Sequence, residues 1–298
     1  MNLIQLNHIC YYFNGPVNVG YLNQGEYGVL IDTGIDQQAM KKILRQLNDR
    51  SLPLTHLFIT HAHTDHYGGA HYLQQQKDIQ TIAPMIEEAI LQNPILEPIY
   101  LFNGNRPLNE LRNKFLEAMP IRVDHVVSEG LFLFGSIESE IILLPGHSIY
   151  QVGVKVEQIL YAADSYFGME QLEKHRIPFL IDADATLASL EKLLAMNGIG
   201  MVPGHGQYEE DPTKTLILNY DHHVKIISSM YEILNTYPLG CSFEVFMQEM
   251  CRRWEVKLPN LSVWTLYRTA VSAYLLKGIE DNKIRYEIKD NVLHFISI

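Results

Sequence analysis

Cysteine is scarce in this 298-residue chain: Cys10, Cys241 and Cys251 make an odd count of three, with no CxxC pair. That excludes a disulfide-dense scaffold, and reduced thiols in a cytoplasmic protein are the expectation. Long hydrophobic runs are lacking too. None approaches the ~18 apolar residues of a membrane-spanning helix. The opening Met1-Asn2-Leu3-Ile4-Gln5 has neither a basic start nor an apolar core, so no secretory signal is expected. Repeats and low-complexity segments are absent, and 47% hydrophobic with 19% charged residues excludes a disordered or collagenous chain. Basic excess is missing as well. Residues 1–212 carry 13 Lys+Arg against 25 Asp+Glu, and residues 213–298 carry 10 against 9. Neither part has the cationic surplus that neutralises phosphates, so a nucleic-acid partner is disfavoured.

What is present is an α/β pattern. A chain of this length buries about 75% of its unfolded surface and needs no metal merely to fold. At roughly 150 residues per domain it reads as two domains. Strands are expected at Leu3–Phe13, Val17–Asn23, Tyr27–Asp32, Leu54–Thr60 and Ile79–Ala83. Asp36 caps a helix with Ala39, Met40, Ile43, Leu44 and Leu47 on one face, and Gly68–Gln76 reads as another. Residues 84–120 interrupt this alternation with five of the thirteen prolines and short helical pieces such as Leu108–Ala118. They read as an insertion that covers part of the fold, a lid over whatever the strand ends carry. Strands return at Val123–Val127, Leu131–Phe134, Ile137–Leu144, Val152–Val156 and Ile159–Ala163. A helix at Thr186–Met196 and a strand at Ile199–Val202 close a unit spanning 1–212. Residues 213–298 read as three helices, Thr213–Tyr237, Ser242–Trp254 and Ser262–Lys277, the last two capped by Ser242 and Ser262. A hairpin follows around Lys289-Asp290-Asn291, giving a winged-helix-like domain.

The chemistry concentrates in Thr60-His61-Ala62-His63-Thr64-Asp65-His66. Three imidazoles and a carboxylate form a ligand set suited to zinc and also to iron or manganese. Alternate residues at a strand end point the same way, so His61 and His63 can share one ion, while Asp65 and His66, as the chain turns, can reach a second. A surface histidine patch is the bland alternative. Three candidates to complete the set stand at ends of apolar strands: His147 in Leu144-Pro145-Gly146-His147-Ser148, Asp164 in Ala162-Ala163-Asp164-Ser165, and His205 in Val202-Pro203-Gly204-His205-Gly206.

In this order the motifs resemble the metallo-β-lactamase superfamily, its glyoxalase-II-like branch in particular, over about residues 1–210. The resemblance implies an αββα sandwich with the metals at one edge. It implies that His61, His63 and His147 bind one ion, that Asp65, His66 and His205 bind another, and that Asp164 bridges them. Asp32, in Leu30-Ile31-Asp32-Thr33-Gly34, matches the aspartate that orients the ligands. True β-lactamases of the superfamily often place a cysteine at the second site, and none lies near these motifs. Flavodiiron proteins carry Glu where His63 stands. A glutathione-binding pattern is not evident in the C-terminal part, which is more like members with an appended winged-helix-like domain, some of which cleave RNA.

The expectation is therefore a cytoplasmic, metal-dependent hydrolase of an ester, thioester or lactone, with two divalent ions, zinc first, sharing a hydroxide that Asp65 orients. The rivals are a metal-dependent ribonuclease or phosphodiesterase, an iron-dependent persulfide dioxygenase, and an interaction protein whose C-terminal domain recruits a partner. The expected partner is a small-molecule substrate, with homodimerisation left open. Candidate substrate contacts are Tyr166, Arg106 and Arg112, with Lys114 beside them. The other eight histidines, His175, His222 and His223 among them, read as structural or surface groups. The long apolar helix at Ser262–Lys277 is too poor in basic and amide residues for DNA reading and is expected to pack on the catalytic part or on another subunit.

Overall fold

A computed structural model describes residues 1–298. Its first sheet runs in sequence order. The strands are β1 (Asn2–Gln5), β2 (Cys10–Asn14), β3 (Val19–Gln24), β4 (Tyr27–Ile31), β5 (His56–Phe58), β6 (Gln80–Pro84) and β7 (His125–Val127). The first four pair antiparallel, and β4 to β7 are parallel because helical crossovers separate them. The second sheet has β8 (Gly130–Phe134), β9 (Ile137–Leu143), β10 (Val152–Val156) and β11 (Ile159–Ala163) antiparallel, with β12 (Gly200–Pro203) parallel to β11. The two sheets face each other across one core that joins Tyr12, Leu22 and Phe58 to Phe134, Ile141 and Val154.

Helices cover both outer faces. Helix α1 (Gln37–Asp49) starts at Asp36, whose carboxylate accepts from the Gln38 and Ala39 amides. It buries Met40, Ile43, Leu44 and Leu47, one stripe at helical spacing. After the one-turn α2 (Thr64–Tyr67), α3 (Ala70–Gln76) joins α1 on the first sheet. Residues 84–120 form α4 (Glu87–Gln92), α5 (Leu96–Leu101) and turns. Beyond them, α6 (Met169–His175) precedes α7 (Ala183–Leu194), which lays Leu190 and Leu193 on the second sheet. The layers are αββα.

The C-terminal part holds α8 (Thr213–Asn235), α9 (Phe243–Arg253) and α10 (Leu261–Glu280). Strands β13 (Cys241–Ser242), β14 (Ile284–Lys289) and β15 (Val292–Ser297) form a small sheet in the order β13-β15-β14. Its hairpin turns through Asp290 and Asn291, both at positive φ, as a two-residue turn between twisted strands requires. This part has its own core around Ile226, Met230, Phe246 and Tyr274, and Ile177, Leu180 and Ala183 belong to the same cluster. No helix is long and apolar enough to cross a membrane.

Three local readings need correction. Leu3–Phe13 is not one strand but β1 and β2 paired antiparallel, because Asn7 Oδ1 accepts from the Ile9 and Cys10 amides and turns the chain between them. Leu108–Ala118 is not a helix. Only Asn109–Leu111 makes a 3-10 turn, because the Asn113 side chain takes up the Glu110 carbonyl and the Phe115 amide that a helix would need. Helix α10 is capped by Asn260, whose Oδ1 accepts from the Val263 amide, and Ser262 lies inside its first turn. Asn260 has the extended backbone of a cap (φ −155°, ψ 171°).

Candidate metal centre

The seven motif residues converge where strands of both sheets end. His61 and His63 lie beyond β5, in the bend that leads into α2, rather than within the strand. Their rings are nonetheless 4.7 Å apart. His147 follows β9, Asp164 follows β11 and His205 follows β12, each leaving the second sheet. Ligand atoms of His61, His63 and His147 lie within 4.8 Å of one another, and so do those of Asp65, His66, Asp164 and His205.

Asp164 connects the two groups. Its Oδ2 is 3.4 Å from His147 Nε2 and 3.3 Å from His205 Nε2, and its Oδ1 is 3.3 Å from His66 Nε2. Asp65 Oδ2 is 3.2 Å from His205 Nε2. Nε2 of His61, Nε2 of His66 and Oδ1 of Asp164 are buried with no hydrogen-bond partner. Buried polar atoms without hydrogen-bond partners are costly unless an ion takes them, so the donor set fits divalent metal.

The far nitrogens are occupied, which fixes each ring. His66 Nδ1 is 2.8 Å from Asp32 Oδ2, His147 Nδ1 is 3.0 Å from the Phe179 carbonyl, and His205 Nδ1 is 2.8 Å from the Pro16 carbonyl. His61 Nδ1 lies 3.1 Å from Thr60 Oγ1, and Asp32 in turn accepts from the Thr60 amide and hydroxyl. Asp32 therefore supports a member of each group. His63 is turned the other way, with Nδ1 inward and 2.8 Å from His147 Nε2.

Electrostatics divides the cluster. Burial, reinforced by the neighbouring imidazoles, pushes His61 well down, and burial takes His63 to about 3 and lowers His147 as well. In the second group burial also opposes protonation but loses. Asp164, Asp32 and Asp65 push His66 well up, and Asp164 with Asp65 raises His205 to about 10. Against the same desolvation, His205 and His66 hold Asp164 well below the usual carboxylate range. The first group offers neutral lone pairs, whereas in the second the carboxylates favour protonated imidazoles, so His66 and His205 give up a proton when they take an ion.

Local backbone explains the repeated Pro-Gly-His. Gly146 sits at φ +124°, and a Cβ there would meet Thr186 Oγ1 at 2.3 Å. A Cβ at Gly204 would stand 1.9 Å from Asp164 Oδ1. Three non-glycine residues in the left-handed region also adjoin the site: Asp32 (φ 66°), Ala163 (φ 49°) before Asp164, and Ile86 (φ 73°) before Glu87. For a β-branched residue such as Ile86 this is strain, which persists only where the surroundings impose it.

Glu87 was not singled out by its sequence context. It is 1% exposed, its Oε2 accepts from the Ala62 amide (2.9 Å), and its Oε1 accepts from Ser148 Oγ (2.7 Å) and the Tyr150 amide (2.9 Å). One carboxylate thus ties the His61–His63 bend to the His147 loop. Gln151 makes a similar bridge, accepting from the Asp164 amide and donating to the Leu144 carbonyl, and Asn18 donates to the carbonyls of Pro203 and Gly206.

A cavity of about 210 Å³ opens onto His63, Asp65, His147, Asp164 and His205. Phe115 and Leu116 of the 84–120 segment, Phe167, Phe179 and Leu266 of α10 wall it, with Glu97 and His175 as further polar groups. The segment is strapped to α2 by Thr64 Oγ1, which donates to the Phe115 carbonyl at 2.7 Å, and Asn113 donates to Ser262 Oγ of α10 at 3.0 Å. Glu97 is 3% exposed, and its Oε2 has no partner. Burial, with Asp65 and Glu87 nearby, pushes its carboxyl well up.

The candidate substrate contacts do not gather there. Tyr166 is buried under the second sheet with Ile142, Leu190 and Met201. It follows β11 on a turn that sends Asp164 to the site and its own ring into the core. Arg112 is exposed and paired with Glu117 at 2.8 Å, and Arg106 is exposed; neither lines the cavity. His223 is buried against Tyr274 Oη at 2.7 Å, and His222 holds the Arg176 carbonyl, also at 2.7 Å, so both have structural partners away from the cavity.

A family model described as the metallo-beta-lactamase superfamily matches residues 12–205. Among curated proteins, the chain is 23% identical over 198 residues to the lactamase-like protein adaB of Aspergillus niger, covering 65% of this chain and 51% of that one. It is 29% identical over 153 residues to a hydroxyacylglutathione hydrolase of Rhizobium etli, covering 48% of each. It spans about half the length of both relatives. Among solved structures, a beta-lactamase domain protein from Burkholderia ambifaria superposes with TM-score 0.77 at 15% identity, over 100% of this chain and 95% of that one.

Proposed function

This chain belongs to the metallo-beta-lactamase superfamily, and from that premise we propose that it is a binuclear metal-dependent hydrolase of an ester, thioester or lactone. The observation that carries the proposal is the pair of donor groups joined by Asp164, with imidazole nitrogens from both groups buried and unpartnered. His61, His63 and His147 would hold one ion, and Asp65, His66 and His205 the other, with Asp164 shared. Divalent ions, zinc first and iron or manganese as alternatives, supply Lewis acidity and lower the pKa of a water.

The chain's own residues do the rest. Asp32 orients His66 directly and His61 through Thr60. Asp65, partly open to the cavity, is the group placed to accept a proton from the attacking water. Phe115, Phe167 and Phe179 give the cavity apolar walls beside these groups, which lowers the local dielectric and strengthens charge interactions there.

An ester-type substrate is favoured over a phosphodiester because no Lys or Arg lines the cavity. The same feature argues against a glutathione thioester, whose leaving group carries carboxylates, despite the partial likeness to the Rhizobium enzyme. The test is elemental analysis of protein purified without added metal, followed by an ester, thioester, lactone and phosphodiester panel. About two ions per chain with carboxyl-ester turnover is expected. Phosphodiester turnover alone, or one iron per chain with dioxygen uptake, refutes it.

A further inference from the structure

A second cavity, of about 320 Å³, lies against the metal cavity with His63 as a shared wall. Ile90 of α4, Tyr100 of α5, Ile149, Ile181 and Thr269 of α10 surround it. Its polar floor consists of Glu87 and Ser148, which are bonded to each other at 2.7 Å. Glu87 also accepts from two backbone amides, so the floor offers an incoming ligand no free carboxylate oxygen. No Lys or Arg lines either cavity. Tyr100 is 40% exposed and Ile149 51%, so the apolar lining opens to solvent beside a site whose reacting groups are polar. His63 lines both cavities, so a largely apolar recess without a cation adjoins the metal-binding side chains, as the two ends of one molecule would require.

We propose that this second cavity receives the acyl chain of the substrate, so that the substrates are esters or thioesters of uncharged, apolar acyl groups several carbons long. The proposal rests on the hydrolase reading for its reaction but not for its geometry. Each buried methylene should strengthen binding about fourfold, the ratio that corresponds to removing one methylene from water.

The experiment uses straight-chain alkyl hydroxamates from acetohydroxamate to octanohydroxamate. Their head group chelates metal whatever reaction the site performs. Calorimetry on the metal-loaded protein should give a Kd that tightens about fourfold per methylene over the first few carbons. Ile181→Trp, which fills the cavity, should remove most of that slope at unchanged metal content, and Ile149→Trp at the rim provides the same test should the first variant not fold. A flat wild-type series, or a slope that survives both substitutions, overturns the proposal. The p-nitrophenyl esters of the same lengths form the second arm. A hydroxamate slope without turnover of these esters, or of the thioester and lactone panel, sustains the cavity's role and refutes the hydrolase reading. Turnover without any dependence on chain length refutes the cavity's role alone.

Discussion

Glu87 is the residue whose replacement tests the site's construction most directly. Glu87→Gln keeps the shape and removes one acceptor. If the amide oxygen retains Ser148 Oγ and the Tyr150 amide, the new NH2 group faces the Ala62 amide, donor against donor. A hydrogen bond to a charged acceptor contributes about 1.5–3 kcal/mol, and leaving its buried donor unsatisfied costs about 1–3 kcal/mol. Burial raises the Glu87 carboxyl above its usual range, so removing the charge recovers part of this. The net expectation is a loss of about 2 kcal/mol. That loss should fall on the link between the His61–His63 bend and the His147 loop, because Glu87 touches both and no residue of the second group. Chelator competition should then show metal affinity at the three-histidine group weakened roughly thirtyfold, with the second group changed by severalfold at most. Urea unfolding of the metal-free variant gives the stability change independently. Unchanged affinity at both groups together with unchanged stability would refute the assignment.

Asp164→Asn should reduce the metal count from about two to about one per chain and turnover by orders of magnitude, since the three-histidine group keeps its ligands while the other loses its shared carboxylate; elemental analysis and kinetics on one preparation decide it. Gly204→Ala places a methyl 1.9 Å from Asp164 Oδ1, so metal loss with a near-native circular dichroism spectrum is expected, and full occupancy would count against the close approach. Phe115→Ala, on a side chain 63% exposed at the cavity mouth, should raise KM severalfold at constant metal content; an effect on metal instead would make the segment a scaffold. His223, held down to about 3 by burial and then by His222, stays neutral in the fold while the unfolded chain takes up a proton below its ordinary pKa near 6.5. Stability is therefore lost as pH falls from about 7 towards 3, by about 2 kcal/mol at pH 5. His223→Phe should narrow the difference in urea stability between pH 7.5 and pH 5 by that amount, and an unchanged difference would contradict the shift.

Features that depend on a few neighbouring residues were legible in the sequence. The Asp36 cap with its stripe of Met40, Ile43, Leu44 and Leu47, the Ser242 cap, the hairpin at Asp290-Asn291 and most strand positions follow from capping, period and turn chemistry within about ten residues. The ligand candidates were legible for a related reason: four lie within six residues, and His147, Asp164 and His205 each close an apolar strand. Tertiary structure decided what the rest face. Tyr166 and Asp164 are two residues apart on one turn, yet one enters the core and the other the site. Arg112 found Glu117 instead of the cavity. Glu87 and Glu97 look like ordinary helix glutamates in sequence, and both are buried because the 84–120 segment closes over the site and onto α10. Their partners and neighbours come from residues 62, 65, 148 and 150, far apart in the chain. Propensity and periodicity act along the chain, whereas burial of a charge is set by which distant segments meet around it. The donor set was therefore written locally, and the groups that aim it and shape its cavity were assigned only by folding.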